Sequence, residues 1–215
     1  MDLAAWDSKV LPVPYFIQPT AITCQSTCLK MMAVYLERNV LLMSTGAEAL
    51  DIPDIWRQVN TGAGRPTAAR NAHANFKWWL EQRFPRLGFQ YVQTGDEGQA
   101  SALIVNSIDM GMPVLMSVSH EHVAGHIVLA IGYEGYVPGM SSVAFKVVVH
   151  DPYGRFDPEL HSMLYGKNRT YGAASLLSGS EIGPGQGYRL PITSVGRRRA
   201  GDSRSGHYYL LMPRR

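Results

Sequence analysis

Apolar residues recur at three- and four-residue spacing after Cys24, at Leu29, Met32, Ala33 and Leu36, and predict an amphipathic helix over residues 24–38. Thr23, just before it, suits the N-cap. Upstream, residues 11–18 (LPVPYFIQ) mix two prolines with apolar side chains and read as an extended entry segment. Two further helices are expected over residues 47–60 and 67–83, the second with Phe76, Trp79 and Leu80 on one side. Gly88 opens a short strand through Phe89, Tyr91 and Val92. Residues 97–110 return to a helical pattern, which Gly111 and Pro113 end.

After that the period changes. Val114–Val118, His126–Tyr133 and Val143–His150 are apolar runs rich in β-branched residues, separated by polar or turn-like stretches. Their connections are too short for crossover helices, so they are expected as antiparallel strands of one sheet. Helices first and sheet second is an α+β order. Residues 155–206 are rich in Gly, Ser, Tyr and Arg with weak periodicity, and are expected as a long loop-rich insertion and basic tail, with at most a short helix. Loops of that length usually serve a function or move. His207–Met212 could add one more strand. With no internal repeat, the 215 residues are read as a single domain.

Composition narrows the class. Apolar residues make up 46% and charged residues 17%, which is globular and not disordered. The formal charge of +3 owes much to Arg197, Arg198, Arg199, Arg204, Arg214 and Arg215. Such a cluster reads first as a solvated basic tail, or as a patch for an anionic polymer, and no nucleic-acid partner is expected. Two cysteines, Cys24 and Cys28, exclude a disulfide framework. No basic n-region with an apolar run opens the chain, and no stretch approaches ~20 apolar residues, so neither a secretory signal nor a membrane span is expected. Synthesis in the cytoplasm follows, and action elsewhere would need another route of delivery.

The chemistry centres on Cys24. A thiol attacks only as thiolate, and a helix N-terminus and a nearby imidazolium both favour that anion. Cys24 stands at the predicted helix start, whereas Cys28 lies a turn further in and is expected to pack. Gln18, on the entry segment six residues earlier, could offer its amide to the oxyanion of a tetrahedral intermediate. His126 opens an otherwise apolar strand (GHIVLAIGY) and Asp151 ends the next (VVVHDPYG). In neighbouring antiparallel strands the start of one lies beside the end of the other, so the two should meet at one end of the sheet. The carboxylate can then fix the imidazole tautomer and stabilise its cation. His120, Glu121 and His122 invite a metal reading, but a zinc site needs three or four converging ligands and His126 already has a use, so no metal and no cofactor are expected. Trp56, Trp78, Trp79 and Tyr91 are assigned to the core. The Gly183–Gly187 run lacks the helix signal and Lys-Ser/Thr of a phosphate cradle.

Three blocks together resemble the papain-like cysteine peptidases, and within them the group related to the double-glycine leader peptidases of bacteriocin exporters. They are VPYFIQ at 13–18 with TCQSTCLKM at 23–31, GMPV at 111–114 with GHIVLAIGY at 125–133, and HDPYG at 150–154. The resemblance implies a helical lobe carrying the Cys helix packed on a C-terminal antiparallel sheet lobe. It implies Cys24 as nucleophile, His126 as base and acid, Asp151 as orienter and Gln18 as oxyanion donor. Gln25 stands where many relatives carry Gly or Asn, and Cys28 where many have a small residue. No transporter segment accompanies these blocks, so leader processing within an exporter is not expected.

Hydrolysis of a peptide or amide bond is therefore the expected activity. The first candidate substrate is a peptidoglycan peptide, since stand-alone relatives occur in phage-type and secreted bacterial proteins, as a lysin or a delivered toxin. The alternatives are a protease or deconjugase acting on a protein partner, a catalytically silent binding module, and acyl transfer to an amine by the same triad.

Overall fold

The computed structural model describes residues 7–20, 22–43, 46–120, 123–137, 145–152, 185–192 and 207–214. In chain order the elements are β1 (Asp7–Val10), α1 (Cys24–Tyr35), which runs on as a π-helical turn over Leu36–Leu41, α2 (Ile52–Thr61), α3 (His73–Arg83), β2 (Gly88–Thr94), α4 (Glu97–Asp109), β3 (Val114–His120), β4 (Val123–Tyr136), β5 (Lys146–His150), β6 (Tyr188–Pro191) and β7 (Tyr208–Arg214). One sheet takes all seven strands in the order β2-β7-β3-β4-β5-β6, and β1 pairs with β4. Every pairing is antiparallel.

The α+β order and the antiparallel β3-β4-β5 core of the sheet are as expected. The sheet is not confined to the C-terminal half, however. β1 comes from the entry segment and β2 from between two helices. The predicted helix over 47–60 starts only at Ile52, after Asp51 in an extended conformation and with Pro53 in the first turn. The helix expected from residue 67 starts at His73. Asn75 accounts for the delay: its amide donates to the carbonyls of Val59, Thr67 and Ala69 and accepts from the Thr67 N–H, which holds residues 67–69 as a loop. β6 lies within the stretch expected as loop, and Gly185–Ile192 is the part of that stretch described here. The rest of 155–206 lies outside the described residues, as do Glu121, His122, Tyr153, Gly154 and every residue of the arginine cluster except Arg214.

α1 differs from its prediction in an informative way. It is buried nearly all round, from Gln25 to Tyr35, and not along one stripe. It packs against β4 on one side and against α2 and α3 on others, so even its polar residues Gln25, Ser26 and Thr27 are inside. The lone cation, Lys30, donates to the Leu50 carbonyl and lies over the Phe16 ring. Cys24 thus begins a helix pinned between two layers, which fixes the position of its Sγ.

β1 continues along the same edge of β4 that β3 occupies, taking over at Gly132, which pairs with Val10. The approach is close. A Cβ on Gly132 would sit 2.3 Å from the Lys9 carbonyl oxygen and 2.9 Å from Val10 Cα, both backbone atoms. Gly132→Ala must therefore push β1 off the sheet. We expect a loss of about 1–3 kcal/mol, read as a drop in Tm of about 3–10 °C.

Candidate active site

The entry segment lies across the ends of β4 and β5. Leu11 N–H donates to Ile131 O at 2.7 Å, and Gln18 N–H to Pro152 O at 2.8 Å. Between them His150 Nε2 donates to Val13 O at 2.9 Å, while its Nδ1 accepts from Gly187 N–H at 3.0 Å. Both ring nitrogens are used in one neutral tautomer, and burial lowers the pKa of this imidazole. Tyr15 stands edge-on to His150 and donates its hydroxyl to the Asp151 carbonyl oxygen at 2.9 Å. Burial, then the Asp151 charge, pushes Tyr15 up to about 12, so it stays a donor. Asp151 N–H donates to Gly185 O at 2.8 Å. Asp151 thus has its backbone clamped on both sides, by Tyr15 and by the return of the chain at Gly185.

That clamp aims the side chain. Asp151 is fully buried, and its Oδ1 accepts from His126 Nε2 at 2.6 Å. In the β4–β5 register Leu129 faces His150. His126 therefore lies beyond the paired stretch and meets Asp151 just past the end of β5. β4 begins at Val123, three residues before His126, so the imidazole comes from within the strand and not from its first residue. With Nε2 engaged by Asp151, Nδ1 is the ring nitrogen left for Cys24, which is near enough to act on the His126 charge. Burial opposes the charged imidazole. The Asp151 charge, the bond to it, and the bond and charge of Cys24 outweigh burial and raise the His126 pKa from 6.5 to about 10.

The two thiols have opposite surroundings. Cys24, the first residue of α1, is partly exposed, whereas Cys28 is fully buried and donates to Ile127 O at 3.5 Å. Burial first, then the charges of Cys24 and Asp151, push the Cys28 thiol well above its ordinary pKa. Thr23 occupies the N-cap position but does not cap: its hydroxyl turns back to the Thr20 carbonyl. The first N–H groups of α1, around Cys24, are thus left untouched by the Thr23 side chain. Gln18 lies next to this turn. Its Nε2 donates to Thr20 O at 2.8 Å and keeps a second hydrogen, and its Oε1 is buried with no partner among the described residues.

Cys24, His126, Asp151 and the Gln18 loop thus come together from the start of α1, from β4, from the end of β5 and from the entry segment. Tyr15, His150 and Gln25 also belong here: Gln25 adjoins Cys24 and His150 adjoins Asp151 in the chain, while Tyr15 reaches Asp151 by long-range approach. The Cys24 thiol donates to Gln25 Oε1 at 3.5 Å. Of the residues assigned to the core, Trp79 is buried, but Tyr91 is 37% exposed and stacks on His73. Among the described residues no group of three or more His, Cys, Asp or Glu could hold a metal ion. No helix among the described residues is long and apolar enough to cross a membrane.

A model of the Peptidase_C39 like family matches residues 10–171. No curated protein matches the chain. Among solved structures the fold is similar to the crystal structure of UfSP from C. elegans, with a TM-score of 0.54 at 11% identity. That match covers 100% of this chain and 35% of the other, so this chain spans about a third of that protein's length. At that identity the likeness is one of fold.

Proposed function

The chain belongs to the Peptidase_C39 like family, and from that premise we propose that it is a cysteine peptidase that cleaves peptide or amide bonds through Cys24, His126 and Asp151. The observation that carries the reading is the bond from His126 Nε2 to a fully buried carboxylate, with Cys24 close enough to raise the imidazole pKa as well. Cys24 attacks the carbonyl carbon as thiolate, beside a His126 that is already protonated at neutral pH. The oxyanion is held by N–H groups at the start of α1 and by the second hydrogen of Gln18 Nε2. His126 then gives its proton to the leaving amine, and a water molecule activated by His126 releases the acyl group from sulfur. No step calls for a cofactor.

For substrate we propose peptidoglycan peptides, on the strength of the net positive charge and the arginine-rich C-terminal stretch, which suit an anionic polymer. Purified cell walls should lose turbidity with the wild-type protein and not with Cys24→Ala. Intact walls beside an enzyme that cleaves a protein substrate would rule the proposal out.

A thiol probe tests the nucleophile without a substrate. Iodoacetamide at neutral pH is expected to modify Cys24 in the folded protein and to spare Cys28 until unfolding, because one thiol is partly exposed and the other sealed. Both lie in one tryptic peptide, Val10–Lys30, so fragmentation must locate the label. An unlabelled Cys24 in the folded protein would favour a silent binding module.

A further inference from the structure

Gln25 is fully inside, yet its amide spans two partners of different kinds. Its Oε1 accepts from the Cys24 thiol at 3.5 Å, and its Nε2 donates to Asn71 Oδ1 at 2.7 Å. Asn71 is exposed and adopts the left-handed conformation, with φ of 56°, one of the two non-glycine residues to do so among those described. Its N–H donates to Asn60 Oδ1 at 2.7 Å, and Asn60 is anchored on the Trp56 carbonyl of α2. A non-glycine residue held at positive φ by a buried side chain marks a position the fold specifies. Here it fixes where the Asn71 side chain sits, next to the Gln25 amide.

A thiol is a hydrogen-bond donor, whereas a thiolate only accepts. As arranged, the Gln25 oxygen suits the thiol and would repel the thiolate. The two ends of an amide are nearly the same size. A half-turn of both amides keeps the shape of the pair and reverses its direction, so that Asn71 Nδ2 donates to Gln25 Oε1 and Gln25 Nε2 donates to sulfur. Asn71 is exposed at the surface.

We propose that Gln25 is a catalytic residue and Asn71 its positioning partner, forming a reversible amide relay that accepts from the Cys24 thiol at rest and donates to its thiolate. The proposal rests on Cys24 as nucleophile. The proton leaving sulfur goes to solvent, since His126 holds protons on both ring nitrogens below pH about 10, and only hydrogen bonds change at the two amides. The relay itself has no ionisable member. The ionisable groups facing Cys24 are His126 from β4 and Cys28 from α1, with Asp151 behind both. On the other side Arg70, over the Trp56 ring, and His73, bonded to Ser117 Oγ, flank Asn71 in the chain.

Asn71→Asp tests the relay. Aspartate tolerates positive φ, and its carboxylate can only accept, so it holds Gln25 Nε2 and locks the oxygen toward sulfur. The readout is the rate of Cys24 alkylation by iodoacetamide against pH, in a Cys28→Ala background, with thermal melting to show that each variant is folded. The midpoint is expected to move up by about half to one pH unit, a fall of about three- to tenfold in rate below it. The shift should persist in about 0.5 M salt, which screens an exposed charge. Gln25→Leu, which adds no charge and removes the donor, should move it the same way. An unmoved midpoint in Gln25→Leu, or an Asn71→Asp shift that salt abolishes, overturns the relay. An unreactive Cys24 in the unaltered chain sinks the nucleophile reading instead, so the two failures are distinct.

Discussion

Cys24→Ala is expected to lower kcat/KM by about 10⁴-fold or more, since a nucleophile and its base act as one unit and removing either forfeits the covalent route. The same substitution should leave the fold nearly as stable as before, because the side chain is partly exposed at a helix start. Cys28→Ala should do the reverse. Its sulfur is sealed between α1 and β4 and bonded to Ile127 O, so truncation opens a small cavity and costs about 1–2 kcal/mol, with kcat/KM within a few-fold of wild type. The crossed pair of results separates chemistry from packing, which neither variant does alone. Activity retained in Cys24→Ala would remove the basis of the proposed mechanism. Turnover assays and thermal melts of the two variants decide it.

How much of this could be read from the chain follows from the range of the forces involved. The meeting of His126 with Asp151 was legible because it depends only on two neighbouring strands running antiparallel, and short connections dictate that. The helix start at Cys24 was legible for a similar reason, as a local change of period. The N-cap role of Thr23 was not, because the Thr20 carbonyl competes for its hydroxyl. β1 and β6 were missed because each is a four-residue strand with no pattern of its own, stabilised by the edge it joins. Asn71 lies 46 residues from Gln25 and is brought to it by α2 and the Asn75-held loop. No spacing in the sequence encodes such a contact. Gln25 showed itself only as a departure from its relatives, and the departure has a partner in the fold.

The charge on Asp151 should be visible in two pH profiles at once. His126 is held at about 10 against an ordinary value of 6.5, and burial alone would push it down, so the carboxylate supplies the larger part of the increase and Cys24 the rest. A histidine whose pKa is higher folded than unfolded binds more protons in the native state between those values. Its contribution to stability is therefore complete below pH about 6.5 and is lost as pH rises toward about 10. Asp151→Asn is nearly the same shape and keeps the backbone clamp of Tyr15 and Gly185, so it should remove most of that dependence without unfolding the protein. In activity, the alkaline limb of kcat/KM reports loss of the imidazolium that must protonate the leaving amine. It should fall from near pH 10 toward or below neutrality in the variant. kcat at neutral pH should drop by about 10²–10⁴-fold, since the asparagine amide can also hold the imidazole in the wrong tautomer. The two effects have one cause, so they should appear together. If the alkaline limb stayed in place while stability lost its pH dependence, Asp151 would be holding the fold of this corner and not orienting the base.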